Sequence, residues 1–154
     1  MTGWPTTRRR VRACRLCYHV AVTVAARPDL HAALERVAAE APGLRMLLLH
    51  GSRARGQAHP HSDWDFAYEA DSTFDADALL AALADCLKAD RIDLVDLDRA
   101  GALLRHRVAR DSVVLFERAP GRFERFWLDA VHTWCDLAPV LEPLYARVLE
   151  TLPK

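Results

Sequence analysis

Gly51-Ser52-Arg53-Ala54-Arg55-Gly56 is followed, after a short polar stretch, by Ser62-Asp63-Trp64-Asp65. A Gly-Ser pair closing an apolar run lets the backbone approach an anion closely and offers it a hydroxyl. If the chain turns there directly into a helix, the first N–H groups are unpaired and sit at the positive helix end, where phosphate oxygens fit. Asp63 and Asp65, two apart on a strand, share a face at roughly 6–7 Å between Cα atoms. Two carboxylates so placed repel unless a cation joins them. An all-oxygen donor set favours Mg²⁺, with Mn²⁺ as the alternative, over zinc. Ten residues separate Ser52 from Asp63. A phosphate-binding turn and a metal pair at this spacing predict nucleotidyl transfer, in which a hydroxyl attacks the α-phosphorus and pyrophosphate leaves. The nucleotide-binding candidates are Gly51, Ser52, Arg53, Arg55 and Ser62. Arg53 and Arg55 are two apart on a helical turn, so one of them faces the nucleotide.

Such chemistry calls for a third carboxylate, to hold a second ion and lower the proton affinity of the attacking hydroxyl. Asp93, Asp96 and Asp98 are the candidates. Ile92 and Leu94 would pack on the same core as Trp64 and Phe66, which turns Asp93 toward the other acids and Asp96 away. The predicted catalytic and metal-holding set is therefore Asp63, Asp65 and Asp93. His50 ends a strand and His59 and His61 lie in a Pro-containing loop, so none of the three joins that set.

The elements that must position these residues follow from periodicity. Leu30, Leu34, Val37, Ala38 and Ala41 mark one face of a helix from Asp29 to Pro42-Gly43. Arg45 to His50 is a buried strand by its apolar run, and Arg53 to Gly56 a helical turn. Asp63 to Glu69 alternates aromatic residues with acids, as a two-faced strand does. A helix capped by Ser72 or Asp75 carries Leu79, Leu80, Leu83 and Leu87; a strand over 91–97, a helix over 99–110 and a strand over 112–117 follow. A final helix places Phe123, Phe126, Trp127, Ala130, Val131 and Trp134 on one stripe, and Pro139 and Pro143 are expected to kink or divide what comes after. The fold class is α/β (α+β), a small mixed sheet flanked by helices.

Size and composition bound the rest. With 154 residues, 51% hydrophobic and 27% charged, the chain has the length of one domain and an ordinary globular balance. Its 21 basic and 21 acidic residues cancel, so nothing demands a nucleic-acid partner. No apolar run approaches the roughly 18 residues of a membrane span. Cys14, Cys17, Cys86 and Cys135 are too few for a disulfide framework, which points to a reducing cytoplasm. Cys14-x-x-Cys17 lacks the second ligand pair of a zinc site. Residues 1–27 show no period and are expected to be a poorly ordered extension, with residues 28–154 forming the single domain.

The Gly51–Gly56 segment, Ser62-Asp63-Trp64-Asp65-Phe66 and the later Ile92-Asp93-Leu94-Val95-Asp96-Leu97 resemble the minimal nucleotidyltransferases of the DNA polymerase β superfamily, in particular the MNT-type antitoxins. The resemblance covers roughly Asp29 to Phe116. It implies a polymerase β-like fold with C-terminal helices, ATP as substrate with Mg²⁺, and transfer of AMP to a hydroxyl. The acceptor it implies is a tyrosine on a HEPN-domain toxin, a short helical protein held in a hetero-oligomer with the antitoxin. Carried over by position, Gly51 and Ser52 hold the triphosphate, Asp63 and Asp65 the metals, and Asp93 completes the triad. Trp64 is bulkier than the aliphatic residue often found between the two acids. Transfer to a small molecule such as an aminoglycoside is the alternative enzymatic reading, although the chain has little length for the additional domain those enzymes carry. Neutralisation of a toxin by binding alone is the non-enzymatic one.

Overall fold

The computed structural model describes residues 28–151. The expectations for residues 1–27, including Cys14 and Cys17, lie outside the described residues. The elements run α1 (Pro28–Glu40), β1 (Leu44–His50), α2 (Gly51–Ala54), β2 (Trp64–Ala70), α3 (Ala76–Leu87), β3 (Ile92–Asp96), α4 (Ala102–Asp111), β4 (Val113–Glu117) and α5 (Arg122–Thr151). They build one four-stranded sheet in the order β3-β2-β1-β4. β1 is antiparallel to both β2 and β4, while β2 and β3 are parallel. A parallel neighbour requires a crossover, and α3 supplies it. The sheet is mixed, as the sequence predicts.

Alternation along the strands separates two cores. Leu47, Leu49, Phe66 and Tyr68 pack with Leu34 of α1 and Leu83 of α3 on one face. Met46, Leu48 and Ala67 pack with Val108 of α4 and Phe126 and Ala130 of α5 on the other. The helices between strands are closed by specific side chains. Asp75 Oδ1 accepts from the Ala78 N–H at 3.0 Å and opens α3, and Lys88 closes it at φ 50°. Arg118, just past β4, donates to the carbonyls of Leu44 at 2.8 Å and Ala41 at 3.0 Å, placing a cation at the C-terminal end of α1.

Two expectations need correction. The turn after β1 becomes helical at Gly51, two residues earlier than the pattern suggests, so Gly51 and Ser52 belong to α2 itself. Pro139 and Pro143 do not divide the last helix, which runs 30 residues from Arg122 to Thr151. A proline removes one helical hydrogen bond and frees the carbonyl four residues back. Here both prolines and Cys135, whose carbonyl Pro139 frees, lie on exposed positions where water can satisfy the group.

Glu69 lies on the same strand face as Asp65 but deeper, under α5, where it is buried. Arg122 in the first turn of α5 donates to it from Nε at 2.6 Å. This pair fastens the start of α5 to the end of β2 far from Asp65. Replacing Arg122 with Met strands a desolvated carboxylate and is expected to cost roughly 2–4 kcal/mol, toward the lower end because the Arg122 side chain is 29% exposed. The additional change Glu69→Gln should return part of that loss. Urea unfolding of the single and double variants measures both.

Candidate active site

Strand register brings the candidate residues together. His50 of β1 stands opposite Asp65 of β2, and Asp65 stands beside Asp93 of β3. All three fall on the face covered by α4 and α5, because the intervening Leu49, Phe66, Ile92 and Leu94 pack into the opposite core. They form one row across three strands, at the end of the sheet where β1 gives way to α2. Asp96 pairs with Tyr68, points to the other face and caps its own turn, accepting from the Asp98 N–H at 2.9 Å.

Gly51 is held at φ 71°, and a Cβ there would run into the Asp65 carboxylate. Backbone and carboxylate can approach so closely only because residue 51 is glycine. Ser52 is half-buried beside it. Asp63 lies one residue before β2, and its Oδ1 is 2.6 Å from Arg91 Nε. That oxygen is buried and accepts no hydrogen bond, so the contact is an ion pair without N–H alignment. Asp65 and Asp93 have no ion-pair partner among the described residues.

The donor set suits a hard cation. Its atoms are carboxylate oxygens, and those of Asp65 and Asp93 are not neutralised by an ion pair among the described residues, whereas Asp63 Oδ1 is held by Arg91. Among the described residues no three His, Cys, Asp or Glu side chains close into a ready-made ligand cluster.

The two arginines of the turn part company. Arg53 donates to the Ser62 carbonyl at 2.6 Å and the Asp63 carbonyl at 3.0 Å, and stacks on Trp64 with its guanidinium carbon 4.1 Å from the ring centre. It ties α2 to the loop that delivers Asp63. The bulk of Trp64 thereby acquires a purpose, as a platform for Arg53. Ser62 also serves that loop, its Oγ accepting from the His59 N–H at 3.0 Å. Arg55 instead lines a cleft of about 480 Å³ with His50, Gly51, Leu104, Arg107, Arg110 and Asp111.

Sequence reasoning missed the wall of this cleft that α4 provides. Leu104, Arg107 and Asp111 recur at helical spacing, a face that could have been read from the chain but not assigned to the Gly51 end without the β4–β1 pairing. His50 was set aside as a strand-end residue, yet it lines the cleft and its Nε2 is buried without a partner. Burial pushes its pKa below the ordinary value, against the pull of Asp65, so the ring is neutral at neutral pH. The hydrogen bond from Arg110 holds Asp111 below the usual carboxylate range. The cleft thus carries three arginines, one of them paired with Asp111, and meets the acid row at His50 and Gly51.

The family model for polymerase β nucleotidyltransferases matches residues 33–120, which include all of these site residues. The chain belongs to that family. Within it, the chain is 36% identical over 103 residues to the protein adenylyltransferase MntA of Aphanizomenon flos-aquae, a match covering 59% of this chain and 69% of the relative. A chain of a toxin–antitoxin crystal structure with AMP-PNP superposes at TM-score 0.66 and 26% identity, over 77% of this chain and 98% of that one. An MNT antitoxin complex with a tri-AMPylated HEPN toxin from Shewanella oneidensis shares the fold at TM-score 0.62 and 23% identity, covering 79% of this chain and 98% of that one.

In this nucleotidyltransferase the fit between Gly51 and Asp65 admits a direct test. Gly51→Ala forces a β-carbon into the carboxylate at a left-handed backbone position and is expected to cost about 1–3 kcal/mol. Gly101→Ala, where a β-carbon meets nothing within 4 Å, should cost less, about 0.5–1 kcal/mol, from the poorer N-cap of α4. Equal losses in the two variants, measured by thermal unfolding, would contradict this packing.

Proposed function

We propose that this chain is an antitoxin adenylyltransferase that moves AMP from ATP to a hydroxyl, a tyrosine, of a HEPN-domain toxin and forms a hetero-oligomer with it. The observation that carries the proposal is the match to a protein adenylyltransferase over more than two thirds of that relative's length, with the Gly-Ser turn and the acid row intact in this chain. The likeness to a toxin–antitoxin structure containing an ATP analogue supports both nucleotide and partner.

Gly51 and Ser52 would receive the triphosphate, and Arg55 would offset its charge from the cleft wall. Asp63, Asp65 and Asp93 would hold Mg²⁺, which supplies Lewis acidity to the α-phosphate and the attacking oxygen. Arg91 orients Asp63 through their 2.6 Å contact. Arg53 and Ser62 contribute by fixing the loop between Ser52 and Asp63, a positioning role that the observed contacts favour over direct contact with nucleotide. Neutral His50 adds no positive charge beside Asp65. Among the described residues no helix is long and apolar enough to cross a membrane, and the free Cys86 and Cys135 agree with a reducing cytoplasm.

Co-expression with a candidate HEPN-domain toxin, sought in the neighbouring reading frame, followed by intact mass, should show one or more AMP units on that partner. Asp63→Ala and Asp65→Ala should lower the transfer rate by at least about a hundredfold. Chelation should stop transfer and added Mg²⁺ restore it. An unmodified partner that is still neutralised by both alanine variants would sink the enzymatic reading in favour of neutralisation by binding.

A further inference from the structure

The distal half of α5 leaves the body at the catalytic end. α5 begins at the far end of the sheet, where Arg122 grips Glu69, and it runs beside α4 in the same direction. Arg105 reaches Asp129 at 2.6 Å, and the His106 ring stacks on Trp134 with centroids 5.2 Å apart. α4 then ends at Asp111, on the wall of the cleft. At about 1.5 Å per residue, α4 extends only about 8 Å beyond His106, whereas α5 extends about 25 Å beyond Trp134. The excess overhangs the cleft end of the molecule.

This overhang keeps the apolar stripe of the docked half. Ala130, Trp134, Leu137, Leu141, Leu144 and Val148 are separated alternately by four and three residues, the spacing of a seam that packs on another helix. Ala130 is fully buried, but Leu137 is 40%, Leu144 50% and Val148 57% exposed. Val140 and Tyr145 flank the seam and are exposed as well. Pro139 and Pro143 sit on the opposite face, two residues to either side of Leu141, so the carbonyls they free turn to water and the stripe stays dry-faced.

The width and the area of the stripe select the occupant. With Val140 and Tyr145 it is broader than the seam of a two-stranded coil and fits a groove between two helices. Its exposed apolar surface amounts to a few hundred Å², short of the roughly 800 Å² per partner of a standard interface. Two copies joined by this helix alone would fall below a stable dimer. A protein that also inserts a side chain into the adjacent cleft has both surfaces to use.

We infer that the distal half of α5 is the docking arm for the acceptor toxin, seated in an apolar groove between two toxin helices and holding the acceptor hydroxyl over the Gly51–Asp65 cleft. The inference rests on the adenylyltransferase reading for the identity of the partner. The double variant Leu144→Asp/Val148→Asp changes only exposed positions, and retained helicity and melting temperature establish its fold. With a purified cognate HEPN-domain toxin as acceptor, the KM for acceptor should rise at least tenfold while the KM for ATP holds. An unchanged acceptor KM overturns the docking arm, as does a wild-type homodimer in sedimentation that the double variant dissolves. If the wild type transfers no AMP, the adenylyltransferase reading fails by itself. A tenfold loss of toxin affinity in the double variant would then still support the arm, and unaltered affinity would refute it.

Discussion

Strand register is the constraint on which the site depends. His50 opposite Asp65, and Asp65 beside Asp93, are consequences of how three strands are paired. A slip of one residue between β2 and either neighbour would send one member of the row to the opposite face. The apolar residues enforce the alignment, since Leu49, Phe66 and Leu94 share the core beneath α1 and α3 and cannot exchange places with the acids without burying charge. Precision at the carboxylates is thus obtained from leucines and a phenylalanine on the far side of the sheet. The same logic explains Gly51, whose lack of a side chain lets the first residue of α2 close against Asp65.

The chain carries equal numbers of acidic and basic residues, yet they are unevenly placed. Asp65 and Asp93 stand in one row on the sheet, while Arg55 at the end of α2 and Arg107 and Arg110 of α4 line the cleft beside it. Carboxylates suit hard cations and guanidinium groups suit anionic oxygens, so the two signs lie at short range here. Arg110 is partly neutralised by Asp111 at 2.6 Å, whereas Arg107 has no ion-pair partner among the described residues. The neutrality of the whole chain therefore says little about its local field.

Much of this was legible from the sequence for a physical reason. Period-2 alternation in Trp64–Glu69 and the apolar run before Gly51 are local signals, and they identified the strands and the face that Asp65 shares with Asp93 but not with Asp96. Signals that depend on tertiary pairing were not legible. The position of Arg53 in the motif is local, while its stacking on Trp64 and its bonds to the Ser62 and Asp63 carbonyls appear only when the loop folds back. The α4 wall of the cleft was hidden for the same reason. Pro139 and Pro143 misled in the other direction, since a proline costs a helix little where the freed carbonyl meets water.

Glu69 and Asp65 show how one helix divides structure from chemistry. They are both acids, four residues apart on one strand face, and by sequence they belong to one group. The first half of α5 covers Glu69, excludes water from it and gives it Arg122, which turns it into a fastening. Asp65 lies at the other end of β2, opposite His50, and has no ion-pair partner among the described residues. The line between the two roles is set by where the covering helices stop lying on the sheet. Because α5 continues past that line with its apolar stripe intact, the helix that makes one end of this face a core also presents a surface beside the end left open.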